Sequence, residues 1–454
     1  MTKHWQGLLR FSLIVTLIAA PAIAIAQTSA QSEVTFTKDV APLLQRSCQS
    51  CHREGEMAPM SLTTYQEVRP WARAIKSKVV NREMPPWHID KTIGIQKFKN
   101  DTSLSDEEIA MVAAWVDNGA PRGNPADMPP PATFPERGAW GIGEPDMIVE
   151  YPAYLVPAEG PDLFGNIYTD LVDYKTGQPL SGDRYIKGME TRPADEPSRR
   201  VVHHALTFAV DPNEKEMREA GDEEIPAAQF LIEYASGKAG EVYPDNSGLL
   251  LEPWRKMRLD YHLHSVGEDV QARVQVGMVF HPEGHIPQHL RWSKQLGQHV
   301  NDLDFPPGEI VRTDGYTYFH KAARITAFQP HMHALGSYQC LELIYPTNGT
   351  PAKTDMVTCA HWDYNWHMVY NYEDDVAPII PAGTVAHVIS YFDNTEGNRG
   401  NPDASNWTGG GGRTIDEMSF VWLGWYDMTD EEYEEELAER RAIQEAAVNA
   451  NNNQ

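Results

Sequence analysis

Two hydrophobic periods divide the chain. From residue 33 to about 123, "TKDVAPLLQRSC", "SLTTYQEVRPWARAIKSKVV" and "LSDEEIAMVAAWVDNGA" place apolar residues three and four apart, the spacing of amphipathic helices. The last segment opens on Ser105 with Glu108 three residues later, a capping box, and stops at Gly119. A proline-rich connector, "NPADMPPPATFPERG", leads out of this region as far as residue 139. From about 140 to 428 the period changes to short alternating segments broken by Gly, Pro, Asn and Asp, among them "RVVHHALTFAV", "KMRLDYHLHSV", "ARVQVGMVF", "ARITAFQPHMHAL" and "MSFVWLGWYD". That stretch reads as all-β and is long enough for two sandwiches, over 140–305 and 306–428, parting near "DFPPGE". Residues 429–454 read as an acidic helical tail that frays into polar residues. The expected fold class is multidomain, an all-α domain followed by two all-β sandwich domains.

Residues 1–26 carry a different signal. Lys3 and Arg10 precede the apolar run "FSLIVTLIAAPAIAIA", and Ala24-Ile25-Ala26 supplies small residues for cleavage before Gln27. The apolar core is short and interrupted by Pro21, as in a secretory signal rather than a membrane span. No cysteine follows the cut, which argues against a lipid anchor. The expectation is an exported, periplasmic chain with no membrane anchor after cleavage. Losing Lys3 and Arg10 takes the formal charge from −26 to −28. A balance so acidic argues against nucleic acid as a partner, because phosphate binding needs clustered Lys and Arg.

The cysteines stand at 48, 51, 340 and 359. "CQSCH", Cys48 to His52, is the attachment pattern of a c-type haem: two thiols for the vinyl groups and an adjacent imidazole for the iron. The second axial ligand is expected downstream, and Met84 in "REMPPWH" is the choice, with Met57, Met60 and His88 as competitors. Over 33–123 the chain thus resembles a small cytochrome c domain carrying one covalent haem. Cys340 and Cys359 lie symmetrically about the turn "TNGTP", so a hairpin there brings them within disulfide reach.

Histidines mark the β region. In a strand, residues i and i+2 share a face, so His331 and His333 converge while Met332 points away. His203 and His204 are adjacent and normally diverge, so joint ligation needs a bulge or different ring nitrogens. His262 and His264 share a face with Asp260, and that pattern leaves the two open as ligands. His281, His285 and His289 fall in a proline-broken stretch and are read as non-ligands. "WDYNWH" (362–367) is distinctive, and aromatic core packing is the reading given to it.

Residues 140–428 resemble the type II copper, ascorbate-dependent monooxygenases, the family of peptidylglycine α-hydroxylating monooxygenase and dopamine β-monooxygenase. The likeness is strongest at "VVHHALTF", "LDYHLHSVG", "FQPHMHALG", "YFDNTEGNRGNP" and "TIDEM". It implies two jelly-roll-like domains holding two copper ions. The first, electron-transferring ion would sit on His203, His204 and His262, motif alignment selecting His262 over His264. The second, where oxygen reacts, would sit on His331, His333 and Met418. Imidazoles with a thioether suit copper, above all Cu(I). One position departs from the peptide-amidating member: the arginine that grips a substrate carboxylate is replaced by Gln329, which points to a small organic substrate.

The combination implies a copper monooxygenase that hydroxylates a C–H bond with O2, with the haem passing electrons from a periplasmic donor. Reversed flow, from substrate through copper and haem to an acceptor, and a non-catalytic copper or redox carrier are the alternatives.

Overall fold

A computed structural model describes residues 34–452, apart from 57, 100, 135–137, 214–227, 236, 237, 239 and 348–352. The segment 1–26 and Met57 therefore lie outside the described residues. No helix among those described is long and apolar enough to cross a membrane.

The molecule is dominated by β-structure, and the expected fold class needs correction. Among the described residues there is no separate all-α cytochrome c domain. Four short helices, Ala41–Ser47, Tyr65–Val68, Ala72–Val80 and Asp106–Asp117, gather around Phe36, Leu44, Val68, Val112 and Trp115. Between the third and fourth helices, however, the chain leaves this cluster and joins the β-structure. Ile89 bridges Ala360 and Phe98 bridges Tyr372, while Trp87, Ile89 and Phe98 are buried in one core with Phe328, Tyr370 and Tyr372. Trp87 meets Tyr370 edge-on with ring centroids 4.9 Å apart. Helical spacing identified the helices, including the Ser105–Glu108 capping box. It could not show that their connector buries its aromatics elsewhere.

A ten-stranded sheet backs both β halves. Its main path runs through Met147–Glu150, Val274–Phe280, Arg184–Pro193, Ser247–Leu251, His289–Gly297, Phe420–Met428, Ala322–His331 and Tyr370–Asn371. A four-stranded sheet of Leu163–Asp170, Lys256–Leu263, Val202–Val210 and Ala228–Tyr234 forms the other layer of the first half. Ile310–Tyr318, Val385–Asp393, Gly336–Ile344 and Thr354–His361 do the same for the second. Each half has its own apolar core: Val149, Ile186, Leu249, Met257 and Val276 belong to the first, and Ile325, Leu341, Val388 and Leu423 to the second.

Strand His289–Gly297 belongs to both halves. It pairs in parallel with Ser247–Leu251 through His289 and Leu290 and antiparallel with Phe420–Met428 from Arg291 to Gly297. Where it passes the 310–318 strand the backbones nearly touch. A Cβ on Gly315 would lie 2.1 Å from the Gly297 carbonyl carbon, so only glycine fits.

Cys340 and Cys359 are cross-strand partners and form a disulfide, with an S–S distance of 2.05 Å, in the hairpin the sequence predicts. The terminal helix Asp430–Asn452 docks by its first turns: Tyr433 packs near Met428, and Glu436 pairs with Arg324 at 2.9 Å.

Candidate metal centre

The first histidine group arises from a defect in strand pairing. On the 202–210 strand Val202 faces Leu263 and His204 faces His262, so the register skips at His203. Two residues then oppose one across the ladder, and the pleat no longer sends His203 and His204 to opposite faces. Potential ligand atoms of His203, His204 and His262 lie within 4.8 Å of one another. The Nδ1 atoms of His203 and His204 are 3.3 Å apart. Asp162 Oδ2 lies 2.7 Å from His262 Nε2, the distance of a hydrogen bond donated by the ring, and the buried Nδ1 has no partner. A carboxylate on one ring nitrogen fixes the tautomer and turns the other nitrogen into a donor for a metal. His264 is half-buried, 6.3 Å from the His203 ring, and is not part of the converging trio.

His331 ends the strand Ala322–His331, and His333 follows in the turn. Their rings are 5.6 Å apart. Glu417 holds this turn from below, accepting the backbone N–H of His333 at 2.9 Å and of Leu335 at 2.7 Å. Burial pushes the Glu417 carboxyl up to about 8. His333 Nδ1 lies 2.7 Å from the Asp416 carbonyl oxygen, an N–H donation that leaves Nε2 available. Met332 is fully buried in a separate apolar cluster with Leu303, Phe305, Leu335 and Phe392. Met418 packs beside Phe230, Phe420 and Trp422, and the Phe420 ring lies flat against His331 at 4.5 Å.

Two residues outside the expected ligand sets enter this region. His367, the last residue of "WDYNWH", lies 5.4 Å from the His331 ring and 6.2 Å from His204, bridging the two histidine groups. Glu233, on strand Ala228–Tyr234 of the first half, offers a carboxylate within 4.8 Å of donors from His331 and His367. Gln329 Nε2 donates to Glu233 Oε2, and Lys238 Nζ donates to Gln329 Oε1 at 3.1 Å.

Burial lowers the affinity of these rings for protons: His203 is brought down to about 4, His367 to about 3, and His204 and His331 fall well below the ordinary histidine range. Neutral imidazoles carry the lone pairs that metal ligation needs. The histidine rings pack against one another and their aromatic neighbours: His203 stacks near Tyr364, His331 against Phe420, and His367 meets Trp362 edge-on.

In the helical region Cys48 and Cys51 are not joined to each other. His52 Nδ1 lies 3.2 Å from the Met60 carbonyl, which leaves Nε2 free. Met84 is half-buried beyond the helix Ala72–Val80.

No family model matches the chain, and no curated protein matches its sequence. Among solved structures, recombinant peptide:N-glycanase F is similar at 9% identity over 63% of this chain and 96% of its own, with a TM-score of 0.25. PNGF-II follows at 7% identity, 62% and 65% coverage, and a TM-score of 0.27. The CBM22 tandem domain of Paenibacillus barcinonensis Xyn10C is 9% identical over 64% of this chain and all of its own, with a TM-score of 0.16. Scores this low carry no argument about fold or activity.

Proposed function

We propose that this protein is an exported copper-dependent monooxygenase that hydroxylates a C–H bond of a small organic substrate with O2, drawing electrons through a c-type haem. The observation that carries the reading is the convergence of His203, His204 and His262 through a register skip in one sheet. The orphaned Nδ1 of His262 and the Asp162 carboxylate behind its ring fit a metal at that position.

Copper bound there and at the His331 region would supply one-electron redox chemistry and reaction with O2. His203, His204 and His262 would hold the electron-transferring ion, and the resemblance to the copper monooxygenases offers His331, His333 and Met418 for the other. The bridging position of His367 keeps the two groups within one ring of each other. Gln329 is buried and committed to Glu233, so it offers no grip for a substrate carboxylate, in keeping with a small organic substrate rather than a peptide terminus.

A haem joined to Cys48 and Cys51 would supply reversible one-electron storage. The unlinked thiols and the free Nε2 of His52, whose other nitrogen faces a carbonyl, fit that donor set, and Met84 is the residue proposed to supply a thioether to it. The N-terminal signal pattern supports export to the periplasm, as does a disulfide, which persists in oxidising compartments.

The test is oxygen uptake by copper-loaded, reduced protein across a small-molecule panel under labelled O2, with mass analysis of products. One labelled oxygen atom in the product is expected. Turnover with an artificial acceptor and no O2 would overturn the monooxygenase in favour of outward electron flow through the haem. Metal binding with no substrate-dependent uptake would leave a copper or redox carrier.

A further inference from the structure

We propose that Glu233, His331 and His367 bind one divalent first-row metal ion, a two-histidine, one-carboxylate site built across the junction of the two β halves. This deepens the copper reading above and rests on it for the identity of the ion. It replaces His333 and Met418 with Glu233 and His367 as the partners of His331.

The three side chains are almost wholly enclosed, at 1%, 3% and 3% exposure for Glu233, His331 and His367. Four of their polar atoms lack a well-formed hydrogen bond: Glu233 Oε1, His331 Nδ1 and both ring nitrogens of His367, which has only a looser contact with the Tyr364 backbone. A buried polar atom left unpaired costs about 1–3 kcal/mol, and chains rarely tolerate several in one place without a ligand to satisfy them. Glu233 Oε1 stands 3.9 Å from His367 Nδ1. That separation is too long for a hydrogen bond. It is close to the roughly 3–3.5 Å between two donors that share an ion through bonds of about 2.1 Å.

The surroundings are those of a ligating carboxylate. Its other oxygen, Oε2, is held by Gln329, which Lys238 holds in turn, and such outer contacts orient metal-binding carboxylates. Phe420 lies flat on the His331 ring and Trp362 packs 5.1 Å from His367, so neither imidazole turns freely. Met418, by contrast, is packed among the aromatic rings of Phe230, Phe420 and Trp422. A carboxylate in place of a thioether moves the preference from Cu(I) toward a divalent ion, with Cu(II) favoured among the first-row metals.

The experiment uses the full chain with His262→Ala to disable the first group, titrated with Cu(II) or Zn(II) by equilibrium dialysis and metal analysis, with circular dichroism as the fold check. One bound equivalent is expected. Adding Glu233→Gln or His367→Gln should weaken it by about 10–100-fold, and Met418→Leu by less than about threefold. Unchanged affinity in Glu233→Gln and His367→Gln, or no bound equivalent at all in the His262→Ala chain, overturns the proposal. If those variants fail to fold, X-ray absorption on the His262→Ala chain loaded with one Cu(II) decides. Nitrogen and oxygen scatterers alone support the site, and a sulfur shell at about 2.3 Å overturns it. None of these readouts depends on oxygen chemistry, so failure here is separable from failure of the monooxygenase reading.

Discussion

His203, His204 and His262 come from neighbouring strands of one sheet, whereas Glu233, His331 and His367 meet only because two β halves dock. The first group is placed by backbone register, with His204 directly opposite His262. The second is placed by packing among a strand of the first half, a strand of the second and the loop that ends at His367. Ligands set by a ladder are organised before any ion arrives. Ligands set by docking depend on every contact that seats the halves together.

The sharpest break of this contrast is His262→Ala, which should weaken binding at the first group by about 100-fold or more, since second-sphere losses alone reach about 10–100-fold. Metal analysis should show the other equivalent retained; loss of both ions would mean the groups are not independent. Gln329→Leu comes next, because it frees the Glu233 carboxylate from its holder. Affinity at the second group should fall by about 10–30-fold while the first is untouched, read by the same titration. Asp162→Asn is the milder counterpart on the ladder side. It keeps a polar partner for His262 Nε2 but weakens tautomer control, and about a tenfold loss confined to the first group is expected.

The smallest effect is a control remote from both groups. Glu67 closes the capping box at Thr64, and hydrogen bonds from Thr63 and Thr64 hold its carboxyl down to about 2. A folded-state value below the unfolded one stabilises the fold above about pH 4.5, and that contribution is lost as pH falls toward 2. Glu67→Gln should therefore cost about 1 kcal/mol at pH 7, as caps do, and nothing near pH 2. Thermal melts at both values check this, and metal affinity should not move at either.

The same contrast governs what could be read in the sequence. Period two reaches only His331, where the strand ends, and leaves His333 to the segment beyond it. The adjacency of His203 and His204 asks for a bulge or different ring nitrogens, and the ladder has a register skip at His203. The disulfide was legible because hairpin symmetry is local. Glu233 was not singled out, although an acid within "AAQFLIEY" is an unusual guest in an apolar strand and was the available signal. His367 stands in a motif, "WDYNWH", whose aromatic residues point to core packing. Its neighbours, His204 and His331, lie far away in sequence, and no local period encodes their meeting. The misreading of an all-α domain has the same origin. Helical spacing is a property of each segment, while the burial of Trp87, Ile89 and Phe98 against Tyr370 and Tyr372 is a long-range fact.

The strand His289–Gly297 holds its two neighbours unequally. Seven residue pairs bind it to the 420–428 strand, but only two, His289 with Ser247 and Leu290 with Gly248, bind it to the first half. What looks like one wide sheet is joined at its middle by a seam two residue pairs long, between residues 247–248 and 289–290. Side chains rather than backbone bridge the gap beyond it, through Phe230 stacked on Trp422 at 3.7 Å and Gln329 reaching Glu233. An ion held by Glu233 on one bank and His331 on the other would add a coordinate tie across that seam.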